Sequence, residues 1–178
     1  MINTILNKIG AWLLLLFGLA LIPFCFRKPP FKDWSIIFLL AGFLSGMLDL
    51  FVTAKKFLIY PTKVYGDIRV SLLFDYLLFP ITGVLYNQIT YRSGILGALG
   101  KALYLSVPMT IIEAWMNRYT KLIKWVRWKW WYTLLTLTFT FWLERATIAV
   151  IRKFADSSSM NEETLRENSE YLMKPRGG

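Results

Sequence analysis

Residues Trp130–Val150 read WWYTLLTLTFTFWLERATIAV, and this stretch decides the class of fold. A transmembrane helix needs about 20 consecutive, mostly apolar residues, and the run is long enough. Its polar residues recur at steps of three and four, the spacing that puts them on one face of a helix. They are Thr133, Thr136, Thr140, Glu144 and Thr147. The stretch therefore predicts a membrane-spanning helix with one polar side.

Four similar runs precede it, and together the runs predict spans at about 5–26, 34–53, 70–90, 94–116 and 130–150. Of the 178 residues, 56% are hydrophobic and 18% are charged, whereas soluble domains carry about 25% charged residues. A signal peptide explains the first run less well, because no small-residue cleavage pattern follows it before Arg27. The sequence predicts an all-α fold, a polytopic transmembrane helical bundle of about five spans.

The segments outside the spans are polar or basic. Residues 117–129 alternate basic and aromatic side chains, as segments at the lipid headgroup level do. The predicted interfacial residues are Arg118, Lys121, Lys124, Arg127, Trp128, Lys129 and Trp130. Residues 154–178 are polar and predict a flexible tail. The formal charge of +10 is explained by contact with the bilayer and its anionic headgroups, so no nucleic-acid partner is predicted.

The other spans also carry polar residues at helical spacing. These are Ser35, Gly42, Ser45 and Asp49 in the second, Ser71, Asp75, Thr82 and Tyr86 in the third, and Ser106, Thr110, Glu113 and Asn117 in the fourth. An acid at the bilayer centre costs about 2.5–3.5 kcal/mol, so these faces are expected to turn inward. The fourth span also begins with Gly94, Gly97 and Gly100, which predict close approach of a neighbouring helix.

The inward polar network supplies the candidate site residues. They are Asp75, Tyr76, Glu113, Asn117, Glu144, Arg145, Asp49, Thr110 and Thr140. In a structural interpretation, hydroxyls bond to carbonyls of their own helix, and the acids pair with Arg145, Lys101 or aromatic donors. In a functional interpretation, the carboxylates surround a shared cavity and bind a cation, relay protons or position a small substrate. The sequence leaves both open.

Residue types exclude several kinds of chemistry. The chain has no His, and its single cysteine, Cys25, forms no intrachain disulfide. We find no nucleophile elbow, phosphate-binding loop or metal-binding pair, so the sequence predicts no cofactor and no metal and disfavours an enzyme. The polar interior favours transport, permeation or sensing of a small solute or ion. The alternatives are a non-catalytic subunit that assembles with a partner protein or a second copy, and a membrane enzyme acting on a lipid or isoprenoid.

Two segments resemble a known family: LIYPTKVYGDIRVSLLFDYLLFPITGVLYNQITY and IIEAWMNRYTKLIKWVRWKWWYTLLTLTFTFWLER. Their features are Tyr60-Pro61, Asp75-Tyr76, Phe79-Pro80, Glu113, Tyr119 to Ile123, Trp128, Trp130 and Arg145. From about Ile59 to Arg152 the chain is similar to the CBO0543 family, small multi-pass membrane proteins of spore-forming Gram-positive bacteria, which has no established activity. The resemblance implies a bacterial plasma membrane, and Glu144 has no counterpart in the family pattern.

The basic residues divide between the two sides of the membrane. The N-terminus and the second and fourth loops carry Lys8, Lys55, Lys56, Lys63, Arg69, Arg118, Lys121, Lys124, Arg127 and Lys129. Their number favours a cytoplasmic N-terminus, whereas Arg27, Lys28 and Lys32 after the first span favour the opposite orientation.

Overall fold

The computed structural model describes residues 2–65 and 68–173. The helices are α1 (Ile2–Cys25), α2 (Phe31–Ala54), α3 (Ser71–Leu73), α4 (Phe79–Thr90), α5 (Ile95–Tyr119) and α6 (Trp130–Met173). A π-helical turn, Phe74–Leu78, joins α3 to α4. The strands are β1 (Leu58–Ile59), β2 (Lys63–Tyr65), β3 (Ile68–Arg69) and β4 (Lys124–Trp125). Residues 174–178 of the predicted tail lie outside the described residues.

Five helical segments are long and apolar enough to cross a membrane, with the third formed by α3, the π turn and α4 together. Large apolar side chains such as Leu39, Leu96 and Phe139 are exposed on the outside of these helices, as expected where lipid replaces water. The prediction of an all-α bundle with five spans is confirmed. The chain is a multi-pass membrane protein.

The structure forms two compact units, residues 1–144 and 145–178. The first holds four spans and the beginning of α6. The second continues α6 as far as Met173, beyond position 150, where the sequence places the end of the span. Hydroxyls of Ser157, Ser158 and Thr164 donate to carbonyls four residues earlier. A helix satisfies its own backbone groups in water as well as in lipid, so it need not end with its apolar run.

The second and fourth loops pair with each other. Leu58 is opposite Trp125 and Ile59 is opposite Lys124 in the antiparallel β1–β4 pair. The Phe57 carbonyl accepts hydrogen bonds from the backbone N–H groups of residues 126, 127 and 128. We call residues 55–65, 68–70 and 120–129 the cap. Both loops follow even-numbered spans, so the five-span topology puts them on the same side of the membrane, as their pairing requires.

The third span changes from π-helical to α-helical geometry beside a proline. Pro80 lies in the first turn of α4 and has no N–H to donate. The π turn ends at Leu78, immediately before α4 begins. Asp75 lies in this turn. Gly42 and Gly46 of α2 face the same region, and a Cβ atom at Gly46 would clash with the Tyr76 hydroxyl oxygen. Glycine at position 46 therefore lets the Tyr76 ring lie against α2.

Packing deeper in the first unit is aromatic. The Phe141 ring of α6 stacks between Phe79 and Tyr86 of α4, with centroid distances of 5.5 and 5.1 Å. Ala41 of α2 and Ala102 of α5 complete this cluster. Small residues on α2 and α5 thus bring both helices against the α4–α6 stack.

The glycines at the start of α5 do not make the predicted helix contact. A Cβ atom at Gly94 or Gly100 would meet nothing within 4 Å, and one at Gly97 would meet only Ser93, in the preceding loop. Ala98, Ala102 and other residues on a different face of α5 are buried instead. The prediction is wrong for the described residues, because the helix packs through its alanine face.

Candidate functional site

A cavity of about 350 Å³ lies inside the first unit. All five spans and the cap contribute to its wall, for example Leu14, Ser45, Leu78, Met109 and Thr136. The wall is mostly apolar, with a few polar side chains. This volume falls at the lower end of the range of about 300–1,000 Å³ typical of small-molecule sites.

Three of the predicted acids, Asp49, Asp75 and Glu113, line this cavity. They come from α2, the π turn and α5. Tyr60, which follows β1 in the cap, also lines it, and all three carboxylates act on its hydroxyl electrostatically. Burial, and secondly the charge of these acids, raises the pKa of Tyr60. Tyr60 thus remains a neutral hydroxyl in the middle of the acidic group.

Asp75 is the most deeply buried of the three acids, with 7% of its surface exposed. The Ser45 hydroxyl donates a hydrogen bond of 2.6 Å to its Oδ1 atom.

Asp49 is incompletely paired. The hydroxyls of Tyr60 and Ser71 approach its carboxylate, and Arg69 in the cap acts on it electrostatically. Its Oδ1 atom is buried and has no hydrogen-bond partner among the described residues. The residue lies near the end of α2, where the cap supplies Tyr60 and Arg69 and α3 supplies Ser71. A buried carboxylate oxygen that lacks a donor is costly, and it can be satisfied by a ligand in the cavity.

Glu113 is held by a chain of donors. The Trp125 indole N–H and the Thr133 hydroxyl donate to its Oε1 atom at 2.9 and 3.0 Å. The Trp128 indole N–H in turn donates to the Thr133 oxygen at 2.8 Å. Because the paired loops turn both indoles inward, they connect the cap to the acidic side of the cavity.

The predicted interfacial residues differ in their exposure. Trp128 lines the cavity, and its location at the headgroup level stays a prediction. The pairing of the fourth loop with the second orients Trp128 toward α6. Lys124 is half-buried and donates through Nζ to the Asn117 carbonyl. The remaining predicted residues are exposed, namely Arg118, Lys121, Arg127, Lys129 and Trp130.

Glu144 occupies a separate site. It is completely buried and does not line the cavity. Its carboxylate lies against Gly83 of α4, where a Cβ atom would be 2.6 Å from Oε2. The Asn87 amide donates to Oε2 at 3.4 Å, while Oε1 and the Asn87 Oδ1 atom have no described partner. The single acidic network predicted from the sequence is therefore two sites.

The other predicted residues have structural positions. Thr110 and Thr140 donate to carbonyls one turn earlier in their own helices. Asn117 accepts the Trp125 backbone N–H at 2.9 Å and so positions that indole. Tyr76 is 52% exposed and lies outside the cavity wall. Arg145 belongs to the second unit.

Lys101, offered by the structural interpretation as a partner of the acids, donates instead to the Ile89 carbonyl and the Ser93 hydroxyl, both at 2.8 Å. Two residues of the site, Tyr60 and Trp125, are aromatic partners of the acids, as the structural interpretation allows, but the sequence does not single them out. Both lie in loops, where helical periodicity gives no signal.

The three acids surround the cavity without converging on one point. Among the described residues, no group of three His, Cys, Asp or Glu side chains is close enough to enclose a metal ion. None of the described lining residues is Lys or Arg. The arrangement suits hydrogen bonding and charge recognition of a molecule larger than a bare ion. Comparisons with protein-family models, curated proteins and solved structures found no match.

Proposed function

We propose that this membrane protein binds a small ligand in the cavity and transports or senses it. The observation that supports this best is that all five spans line one cavity that contains three acids, one of which, Asp49, is incompletely paired. A purely structural polar network would close its acids off in pairs, as the hydroxyls of Thr110 and Thr140 are closed off on their own helices. A buried charge that is left partly unpaired inside a membrane is a default indicator of a functional site.

We further propose that the cap faces the cytoplasm of a bacterium and that the chain belongs to the CBO0543 family. The first proposal is supported by the basic residues of the cap, among them Lys55, Lys56 and Arg127, because cytoplasmic loops are enriched in Lys and Arg. The second rests on the resemblance of residues 59–152. Neither proposal is needed for the cavity to bind a ligand.

The experiment uses one thiol at a time. In a Cys25→Ala background, Thr136→Cys places a thiol in the cavity wall, and Thr140→Cys places one a helical turn further along, outside the wall. Both threonines donate to the carbonyl four residues earlier, so the two substitutions remove equivalent bonds. We expect a small, charged, membrane-impermeant thiol reagent added to proteoliposomes to modify position 136 and to spare position 140.

Protection of both positions would refute the proposal, because no polar ligand could then reach the cavity. Modification of position 136 from both sides of the membrane supports transport, whereas modification from one side supports sensing. Glu113→Gln tests the competing role as a subunit. If that variant loses assembly with a partner while the reactivity at position 136 is unchanged, the polar face serves assembly and the proposed function is wrong.

A further inference from the structure

We propose that the ligand of the cavity is an organic cation with a bulky apolar body. This inference rests on the proposed function and names the class of ligand. The charge of the site is the first reason. Asp49, Asp75 and Glu113 share one cavity whose described lining contains no Lys or Arg. Arg69, which acts electrostatically on Asp49, is not part of that lining. Ionised carboxylates so placed repel one another, and a cation between them removes that cost.

An unsatisfied oxygen is the second reason, and it is independent of the charge count. Asp49 lines the cavity, and its Oδ1 atom is buried with no hydrogen-bond partner among the described residues. Asp75, which is more than nine-tenths buried, lines the same cavity. An ammonium N–H group stabilises such an oxygen by a hydrogen bond, and a positive centre without any N–H stabilises it by charge alone. An anion or a neutral hydrocarbon leaves it unsatisfied.

The shape of the cavity selects the kind of cation. The acids are too widely spread for three of them to enclose a metal ion, so a compact cation contacts only part of the acidic group. Apolar side chains such as Leu14, Phe17 and Met109 form most of the wall and suit an apolar body. Trp128 also lines the cavity, and an indole is the strongest aromatic partner of a cation.

The test uses two ions of the same shape and opposite charge, tetraphenylphosphonium and tetraphenylborate. Full-length protein in lipid nanodiscs is equilibrated with each radiolabelled ion, and the binding to empty nanodiscs is subtracted. We expect saturable binding of the cation and none of the anion. Asp75→Asn should weaken cation binding by at least about tenfold, because one partner of a buried charge pair is lost.

Two controls separate this effect from a general change of charge. Glu144→Gln neutralises a buried acid outside the cavity, and Glu162→Gln neutralises an exposed acid in the second unit. Both should bind the cation as the unsubstituted protein does. If Asp75→Asn does not elute as a folded species, Glu113→Gln replaces it, with the same expected loss.

Saturable binding of the anion, or cation binding that survives both Asp75→Asn and Glu113→Gln, would overturn the inference. The thiol experiment distinguishes this failure from failure of the proposed function. If position 136 is modified and tetraphenylphosphonium does not bind, the cavity remains a ligand site and only the cation class is wrong. If position 136 is protected, the function itself is refuted.

Discussion

Gly83→Ala tests the contact between the Glu144 carboxylate and the α4 backbone at Gly83. The added Cβ atom would lie 2.6 Å from Oε2 of Glu144, 3.1 Å from its Cδ atom and 3.2 Å from the Ala41 Cβ atom. Real Cβ atoms do not tolerate the shortest of these distances, so something must move. Because Glu144 is completely buried and Phe141 of the same helix is stacked between two rings, the carboxylate cannot simply turn out into solvent.

Gly100→Ala is the matched control, because a Cβ atom there meets nothing within 4 Å. Both glycines lie inside helices, so each alanine should gain up to about 1 kcal/mol of helix propensity. That gain cancels when the two variants are compared, which leaves the cost of overpacking. We therefore expect Gly83→Ala to be less stable than Gly100→Ala by about 1–3 kcal/mol.

The assay is reversible unfolding in mixed detergent micelles, followed by circular dichroism. A double-mutant cycle with Glu144→Ala identifies the clashing group, since removal of the carboxylate should make Gly83→Ala less costly by at least about 0.5 kcal/mol. Equal stabilities of Gly83→Ala and Gly100→Ala, or additive effects of the two substitutions in the cycle, would show that Glu144 does not occupy this position.

Two further predictions concern the cap. Trp125→Phe removes the indole N–H that donates to Glu113 and should lower the free energy of unfolding by about 1–3 kcal/mol. Trp130→Phe is the control, at a site that is 57% exposed, and should change this free energy by less than about 0.5 kcal/mol. Equal losses in the two variants would contradict the inward orientation of Trp125. For Tyr60, the raised pKa means that its hydroxyl stabilises the folded state fully below the unfolded value of about 10, and that this contribution falls as pH rises above it. Because Tyr60 does not ionise near pH 10, the tyrosine titration followed by ultraviolet absorbance should be the same in the Tyr60→Phe variant and in the unsubstituted protein. A smaller absorbance change in the variant would show that Tyr60 titrates as a tyrosine in water does.

The spans could be predicted because length and apolarity are sufficient to identify them. Inside lipid every backbone polar group must be satisfied within its own segment, so an apolar run of this length has few alternatives to a helix. The same reasoning explains why the bounds of the last helix were harder to predict. The end of the apolar run near position 150 marks the end of the span, while helix α6 runs on to Met173 through residues that satisfy their backbone groups equally well in water.

The acidic side of the cavity was only partly predictable. Helical spacing correctly put Asp49, Asp75 and Glu113 among inward-facing residues, because an acid facing lipid is costly. Spacing gave no information about Tyr60 and Trp125, which approach these acids from the cap. Their positions depend on the pairing of β1 with β4, two strands of two residues each that are too short for any periodic pattern.

Glu144 shows where periodicity misleads. It continues the helix face of Thr133, Thr136 and Thr140, and helical spacing therefore predicts that it joins the other acids in one polar network. One face of a long helix meets different neighbours along its length, however, and here Thr133 and Thr136 border the cavity while Glu144 meets the α4 backbone at Gly83. The glycine was the available signal, since a transmembrane helix that must accept a long side chain against its backbone needs a small residue there. Loss of the charge at Glu144 therefore tests packing between α4 and α6, and only loss of a charge at Asp49, Asp75 or Glu113 tests the chemistry of the cavity.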